Sequence, residues 1–341
     1  MAGVSTGTVD RFLHNRGKVS IKAQKKVDQV LKEINYQPNL IARSLALKKT
    51  YHLYALIPSY TEGDYWELFY HGIHKAEKEL FSYNVEIKYL YFDPYDKSSF
   101  DQLIPQIDKD CCQGVVIATL FKESVLSLTH KLDEMDIPYV LVDANIENTH
   151  SIAYFGTHSY DSGHIAGRLM YEQLKRKDDI AVFRFVSKGE TMSNQVQQRE
   201  KGFRDYLHQQ EFEGNIHTIH IHAEEIEKNI PLLDTFLKDH PYIRGGIVFS
   251  SRAHVIADYL NEHHPDIDFK MIGYDVIDSN VRHLKEGHIT HLIAQRPEEQ
   301  AANSMRALFD FLIQKKSPKK INYMPIDILI KENIEYYDNY I

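Results

Sequence analysis

The chain has 341 residues, 43% hydrophobic and 26% charged, an ordinary balance for a globular protein with room for two or three domains. No apolar run approaches the roughly 18 residues of a membrane helix, and no apolar stretch follows a basic N-terminus as in a secretory signal, so a cytoplasmic protein is expected. Charge is unevenly placed: Met1–Thr50 holds ten Lys/Arg against three Asp/Glu, a net of +7, and with −8 for the whole chain the remainder carries −15, a basic head suited to a polyanion on an acidic body.

Ser5 can cap a short helix through about Leu13, with Val9 and Leu13 on one face. Asn15-Arg16-Gly17 breaks it, and Ser20 caps a second helix to about Asn35 with Ile21, Val27, Val30, Leu31 and Ile34 as its apolar stripe. Tyr36-Gln37-Pro38 ends that helix, because proline disfavours helical geometry in the residue before it. Asn39 then caps a third short stretch from Leu40 to about Lys48. From Tyr51 the pattern alternates. An apolar run at Leu53–Ile57 precedes Trp66, Phe69, Ile73, Ala76 and Leu80 at helical spacing. Further strands are expected at Val85–Tyr91, Val115–Thr119, Tyr139–Val142, Ile180–Val186, Gly246–Phe249, Met271–Tyr274 and Ile326–Ile330. Helical stripes such as Leu233/Phe236/Leu237 lie between them, which argues for parallel sheets covered on both faces and, at this length, for two lobes. Cys111 and Cys112 adjoin one strand; sequence neighbours pair only under strain, so they read as reduced structural thiols.

In Val4-Ser5-Thr6-Gly7-Thr8-Val9-Asp10-Arg11, small hydroxyl residues open a helix and an arginine follows. Ser5 and Thr8 suit phosphate contacts, while Thr6, Gly7 and Arg11 suit base edges; an ordinary capped surface helix is the alternative. Ile41-Ala42-Arg43-Ser44-Leu45-Ala46 is too short to stand alone as a helix. Leu45 among small neighbours suits a wedge that unstacks a base step from the minor groove, with Asn39 and Ala42 also at the DNA; an amphipathic linker packed on the body is the alternative.

The order of these segments, with Tyr36-Gln37-Pro38-Asn39 between them, resembles the lactose-repressor/galactose-repressor (LacI/GalR) family of bacterial transcription regulators. The resemblance implies an α/β, two-lobed, periplasmic-binding-protein-like (type I) sensor with parallel sheets, preceded by a small all-α helix-turn-helix headpiece. It implies a headpiece at 1–50 with a hinge helix at about 39–48, and a sensor at 51–341. The N-lobe would comprise about 51–156 and 296–319, the C-lobe about 157–295 and 320–341. It places Tyr65 and Trp66 against a sugar ring, and Asp143, Arg199, Asp275 and Gln295 around its hydroxyls, all lining one cleft. The chemistry suits a polyol, since carboxylates accept hydroxyl protons, Arg and Gln donate, and aromatics cover ring faces.

Two features depart from the family pattern. Ser251-Arg252 stands where an Asn-Asp is usual, so Ser251 replaces an amide that would grip two hydroxyls. Arg252 leaves room for an acidic sugar as well as for a solvent-facing arginine at the rim. The family also carries a first helix before its Ala-Gly-Val-Ser segment, whereas this chain begins Met1-Ala2-Gly3. A truncated headpiece, poorly ordered without DNA, and a native start further upstream are expected.

Other motifs are weaker. Tyr160-Asp161-Ser162-Gly163-His164 lacks a nucleophile elbow, and His217, His220 and His222 alternate with Ile219 and Ile221 as a solvated strand face would. No phosphate-binding loop is present. The expectation is a sequence-specific regulator acting as a repressor, not an enzyme, without cofactor or metal. It would bind a near-palindromic operator as a homodimer under control of a small sugar or sugar derivative. A sugar-binding solute carrier without a DNA role and a sugar-modifying α/β enzyme are the alternatives.

Overall fold

The computed structural model describes residues 2–13, 19–33, 50–186, 193–223 and 226–337. In the head, helices α1 (Thr6–Leu13) and α2 (Ile21–Glu33) form where their caps stand. Ser5 Oγ accepts from the Thr8 amide at 3.2 Å, and Ser20 Oγ from the Ala23 amide at 3.4 Å, each satisfying a helix-start donor. Asn39, Ala42 and Leu45 of the expected hinge lie outside the described residues, as does the expected end of the second helix.

The body is built on two six-stranded sheets. Strands β1 (Tyr51–Pro58), β2 (Val85–Phe92), β3 (Gly114–Ala118), β4 (Tyr139–Val142), β5 (Ala153–Gly156) and β11 (Ile321–Tyr323) form the first, in the order β11-β5-β4-β3-β1-β2, all parallel. The second contains β6 (Asp179–Val186), β7 (Ile216–His222), β8 (Ile243–Ile247), β9 (Lys270–Tyr274), β10 (His291–Ala294) and β12 (Asp327–Leu329), in the order β12-β10-β9-β8-β6-β7. Only β12 runs antiparallel there, against β10. The inner strands β3 and β4 are buried throughout, as continuous apolar runs under helices on both faces should be. The edge strands β2 and β7 instead mix buried and exposed positions, and β7 turns Ile219 and Ile221 inward and His220 and His222 out.

Helices α3 (Tyr65–Leu80), α4 (Lys122–Glu134), α5 (Ser159–Gln173), α6 (Asn194–Gln209), α7 (Asn229–Asp239), α8 (Ala253–His263), α9 (Asp278–Glu286) and α10 (Pro297–Phe309) alternate with the strands. Strand β8 begins three residues before the expected Gly246. Its Gly245 and Gly246 lie under Met170 and Phe269, where an added Cβ would come within 2.6 Å of either side chain, so covering groups rather than strand propensity fix these positions. Strands β5, β10 and β11 were not expected; at four, four and three residues they are too short to show a period.

The chain passes between sheets after β5, after β10 and between β11 and β12. The last passage falls after Tyr323, because Ile321–Tyr323 pairs with Tyr154–Gly156 of the first sheet. The expected division at 319/320 lies close to this passage.

Candidate functional site

Asp143 follows β4, Asp275 follows β9 and Gln295 follows β10, each at the carboxyl end of a parallel strand, where open α/β sheets leave their crevices. Asp143 and Asp275 adopt left-handed backbone, φ 76° and 71°, a conformation aspartate tolerates better than most residues, and both are buried. Arg199 lies within α6, also fully buried. Its Nη1 donates to the Phe249 carbonyl at 2.8 Å, its Nη2 to Gln295 Oε1, and its guanidinium stands 4.2 Å over the Tyr274 ring. Gln295 Nε2 donates to Asp275 Oδ1 at 2.6 Å. Gln195, one turn before Arg199, donates from Nε2 to Asp143 Oδ1 at 2.8 Å and to Gln295 Oε1 at 3.0 Å, tying the second lobe to the first. Tyr65 donates its hydroxyl to Asp143 Oδ1 at 3.5 Å.

Two carboxylates and one guanidinium thus lie in one network away from water, linked through Gln195 and Gln295. Burial raises Asp143 to about 6 against the opposing pull of Arg199, with the like charge of Asp275 adding to the rise; burial likewise raises Asp275 to about 6. Arg199 Nε, though buried, has no hydrogen-bond partner among the described residues. The cluster is rich in acceptors and donors and poor in solvent, an environment that rewards a ligand bearing several hydroxyls.

Helix packing sets where Arg199 stands. A Cβ on Gly163 of α5 would come 1.8 Å from the Arg199 carbonyl, and one on Gly202 of α6 would come 2.0 Å from the Tyr160 carbonyl. Each glycine admits the other helix's backbone. Asn280, fully buried in α9, holds the neighbouring loops: its Nδ2 donates to the carbonyls of Ser251, Tyr274 and Asp275, and its Oδ1 accepts from the His254 amide.

Beside this cluster opens a cleft of about 570 Å³. Tyr60, Tyr65, Trp66 and Phe121 line it from the first lobe, Phe185 and Ser251 from the second. The expected site residues therefore divide. Tyr65, Trp66 and Ser251 line the cleft, whereas Asp143, Arg199, Asp275 and Gln295 come together as a closed, buried network and do not line open space. Within that network the polar groups satisfy one another, as buried polar groups generally do. Gln195 and Asn280 were not expected. Gln195 had a signal, since it stands four residues before Arg199 and so on the same helix face.

In the head, Ser5, Thr6, Gly7 and Arg11 are exposed and Thr8 partly so; Arg11 Nε donates to the Gly7 carbonyl at 3.0 Å. For metals, His217 is engaged with Asp179 at 3.0 Å. Among the described residues one group, His283, Glu286 and His288, brings ligand atoms within 4.8 Å of one another, although His283 Nε2 already lies 2.9 Å from Asp258 Oδ1.

Two sheets whose strand ends converge on a polar cluster beside a cleft define a sensor of the periplasmic-binding-protein class. Residues 54–316 match the family model for a periplasmic binding protein domain, and residues 1–39 match that for bacterial regulatory proteins of the lacI family. The chain belongs to the LacI family, as a DNA-binding transcriptional regulator whose sensor domain modulates its activity. A crystal structure described as a LacI transcriptional regulator from Bacteroides fragilis is 36% identical, with a TM-score of 0.81, covering 85% of this chain and all of that one. The ribose operon repressor of Halalkalibacterium halodurans is 27% identical over 289 residues, 81% of this chain and 78% of its own length. GanP, a glucose-galactose binding protein from Geobacillus stearothermophilus, shares the fold at 22% identity and a TM-score of 0.73, over 84% of this chain and 99% of its own. Its relatives are regulators rather than catalytic enzymes, and the lacI match sets aside a carrier without a DNA role. Among the described residues no helix is long and apolar enough to cross a membrane.

Proposed function

We propose that the cleft and its buried cluster take a small sugar or sugar derivative, and that occupancy sets the affinity of a homodimeric repressor for a near-palindromic operator in the cytoplasm. The observation that carries this reading is the Asp143/Arg199/Asp275/Gln295 cluster at three strand ends beside an aromatic-walled cleft. The relatives named as ribose and sucrose operon repressors support it. Sugar hydroxyls would replace the contacts Gln195 makes to Asp143 and Gln295, changing the angle between lobes and so the DNA-competent population. In the head, Ser5 and Thr8 would hold phosphates, Thr6, Gly7 and Arg11 would face base edges, and Leu45 would wedge the centre of the site, with Asn39 and Ala42 beside it.

Thermal shift against a panel of five- and six-carbon sugars tests the reading, since a ligand that binds only the folded state raises its stability by mass action. A binder should lose about tenfold or more in affinity in Asp275→Asn, which removes a charge-assisted hydrogen bond worth roughly 1.5–3 kcal/mol. Unchanged affinity in that variant would place the site elsewhere.

A further inference from the structure

Arg252 is the cleft's unexplained charge. It ends the loop after β8 and precedes α8, and it lines the cleft beside Ser251. Its guanidinium carbon stands 4.9 Å from the Tyr95 ring centroid on the first lobe and 5.5 Å from that of Phe185 on the second. The side chain is partly buried between them and does not sit in solvent at the rim. Among the described residues its hydrogen bond runs from Nη1 to the Ala223 carbonyl at 2.8 Å. No carboxylate lies within ion-pair distance of it among the described residues.

Among the described residues the cleft's two carboxylates, Asp64 and Asp93, are occupied by their own turns. Asp64 Oδ2 accepts from the amide and hydroxyl of Thr61, both at 2.8 Å, and Asp93 Oδ1 accepts from the Tyr95 amide at 2.8 Å. Four arginines of this body, Arg184, Arg204, Arg296 and Arg306, pair with carboxylates, whereas among the described residues Arg244 bonds backbone carbonyls and Arg199 bonds a carbonyl and Gln295. A half-desolvated guanidinium with unused donors, aimed into a ligand cleft, wants an anion.

We propose that the effector is a sugar acid, a uronate or aldonate whose carboxylate pairs with Arg252 while its hydroxyls engage the Asp143/Asp275 cluster. This rests on the sugar-sensor reading above. A carboxylate fits better than a phosphate for two reasons. The planar fork of Arg252 matches a carboxylate edge-on. Among the described residues the cleft offers one guanidinium without a carboxylate partner, beside Asp64 and Asp93, too little to balance the roughly −1.5 to −2 charge of a phosphate monoester. Tyr95 and Phe185 would shield the ion pair from water and hold the fork in plane.

Calorimetry on the full chain decides it, using matched pairs of five- and six-carbon aldoses and their uronates and aldonates, such as D-glucose with D-glucuronate and D-galactose with D-galacturonate. Glucose 6-phosphate serves as the phosphate arm, and each titration is repeated in Arg252→Met. At least one acid should bind about tenfold or more tighter than its neutral parent, and Arg252→Met should bring that ratio close to one. Neutral parents binding as tightly as their acids, or an acid preference that survives Arg252→Met, would overturn the assignment. A preference for glucose 6-phosphate over every acid would overturn the carboxylate. Binding of no sugar, charged or neutral, would contradict the sugar-sensor reading itself, and the effector assignment with it.

Discussion

In the site proposed above, Asp143 and Asp275 put function and stability in opposition. Each carboxyl ordinarily titrates at 3.8 and is raised by burial to about 6. The folded state therefore binds more protons than the unfolded state between those values, so stability falls as pH rises through that window. Above about 6 the full cost is present, on the order of 2–3 kcal/mol for each carboxylate. Asp143→Asn and Asp275→Asn keep an amide oxygen where Gln195 and Gln295 donate, and they remove the buried charge. Thermal unfolding should show each variant more stable than the parent at pH 7.5, the gain shrinking toward pH 4.5; a difference equal at both pH values would contradict the account. Asp143, Arg199, Asp275 and Gln295 are legible in the sequence through the family resemblance, which sets all four around one cleft, rather than through periodicity. Gln195 and Asn280 are harder to read, since a polar residue on a helix looks the same whether it faces water or a buried carbonyl.

At the scale of elements, glycines in helices tell two different stories. Gly163 lies against the backbone of α6, so Gly163→Ala must push the helix that carries Arg199. Overpacking of this kind costs about 1–3 kcal/mol. A lowered Tm together with weakened sugar binding is expected, and sugar affinity equal to the parent's would show that the crossing does not position Arg199. Gly7, in α1, has no described atom within 4 Å of an added Cβ and no positive φ, so no described contact requires it. Glycine in a helix is less stable than alanine by roughly 1 kcal/mol, and the close approach to DNA proposed above would account for its presence. Gly7→Ala should leave thermal stability equal or higher and weaken operator binding in an electrophoretic shift assay; equal operator affinity would remove Gly7 from the interface. The alternation of strand and helix makes most of these elements readable. The three- and four-residue strands that carry the chain between sheets escape, because their pairing is set by neighbours distant in sequence.

Across the whole molecule, a head with a net charge of +7 and a body with −15 divide the work. The head supplies salt-dependent affinity for any duplex by releasing counterions, and the sensor changes how well the protein engages one sequence. For a sugar to control DNA binding it must favour one arrangement of the lobes over another; affinity for the cleft alone shifts nothing. The direct measurement is fluorescence anisotropy of the full chain on an operator duplex recovered by in vitro selection, titrated with a sugar that binds by calorimetry, in parent and Asp275→Asn. The account predicts that saturating sugar changes operator affinity about tenfold or more in the parent and leaves it unmoved in the variant. A sugar that binds the parent while its operator affinity stays constant would contradict it.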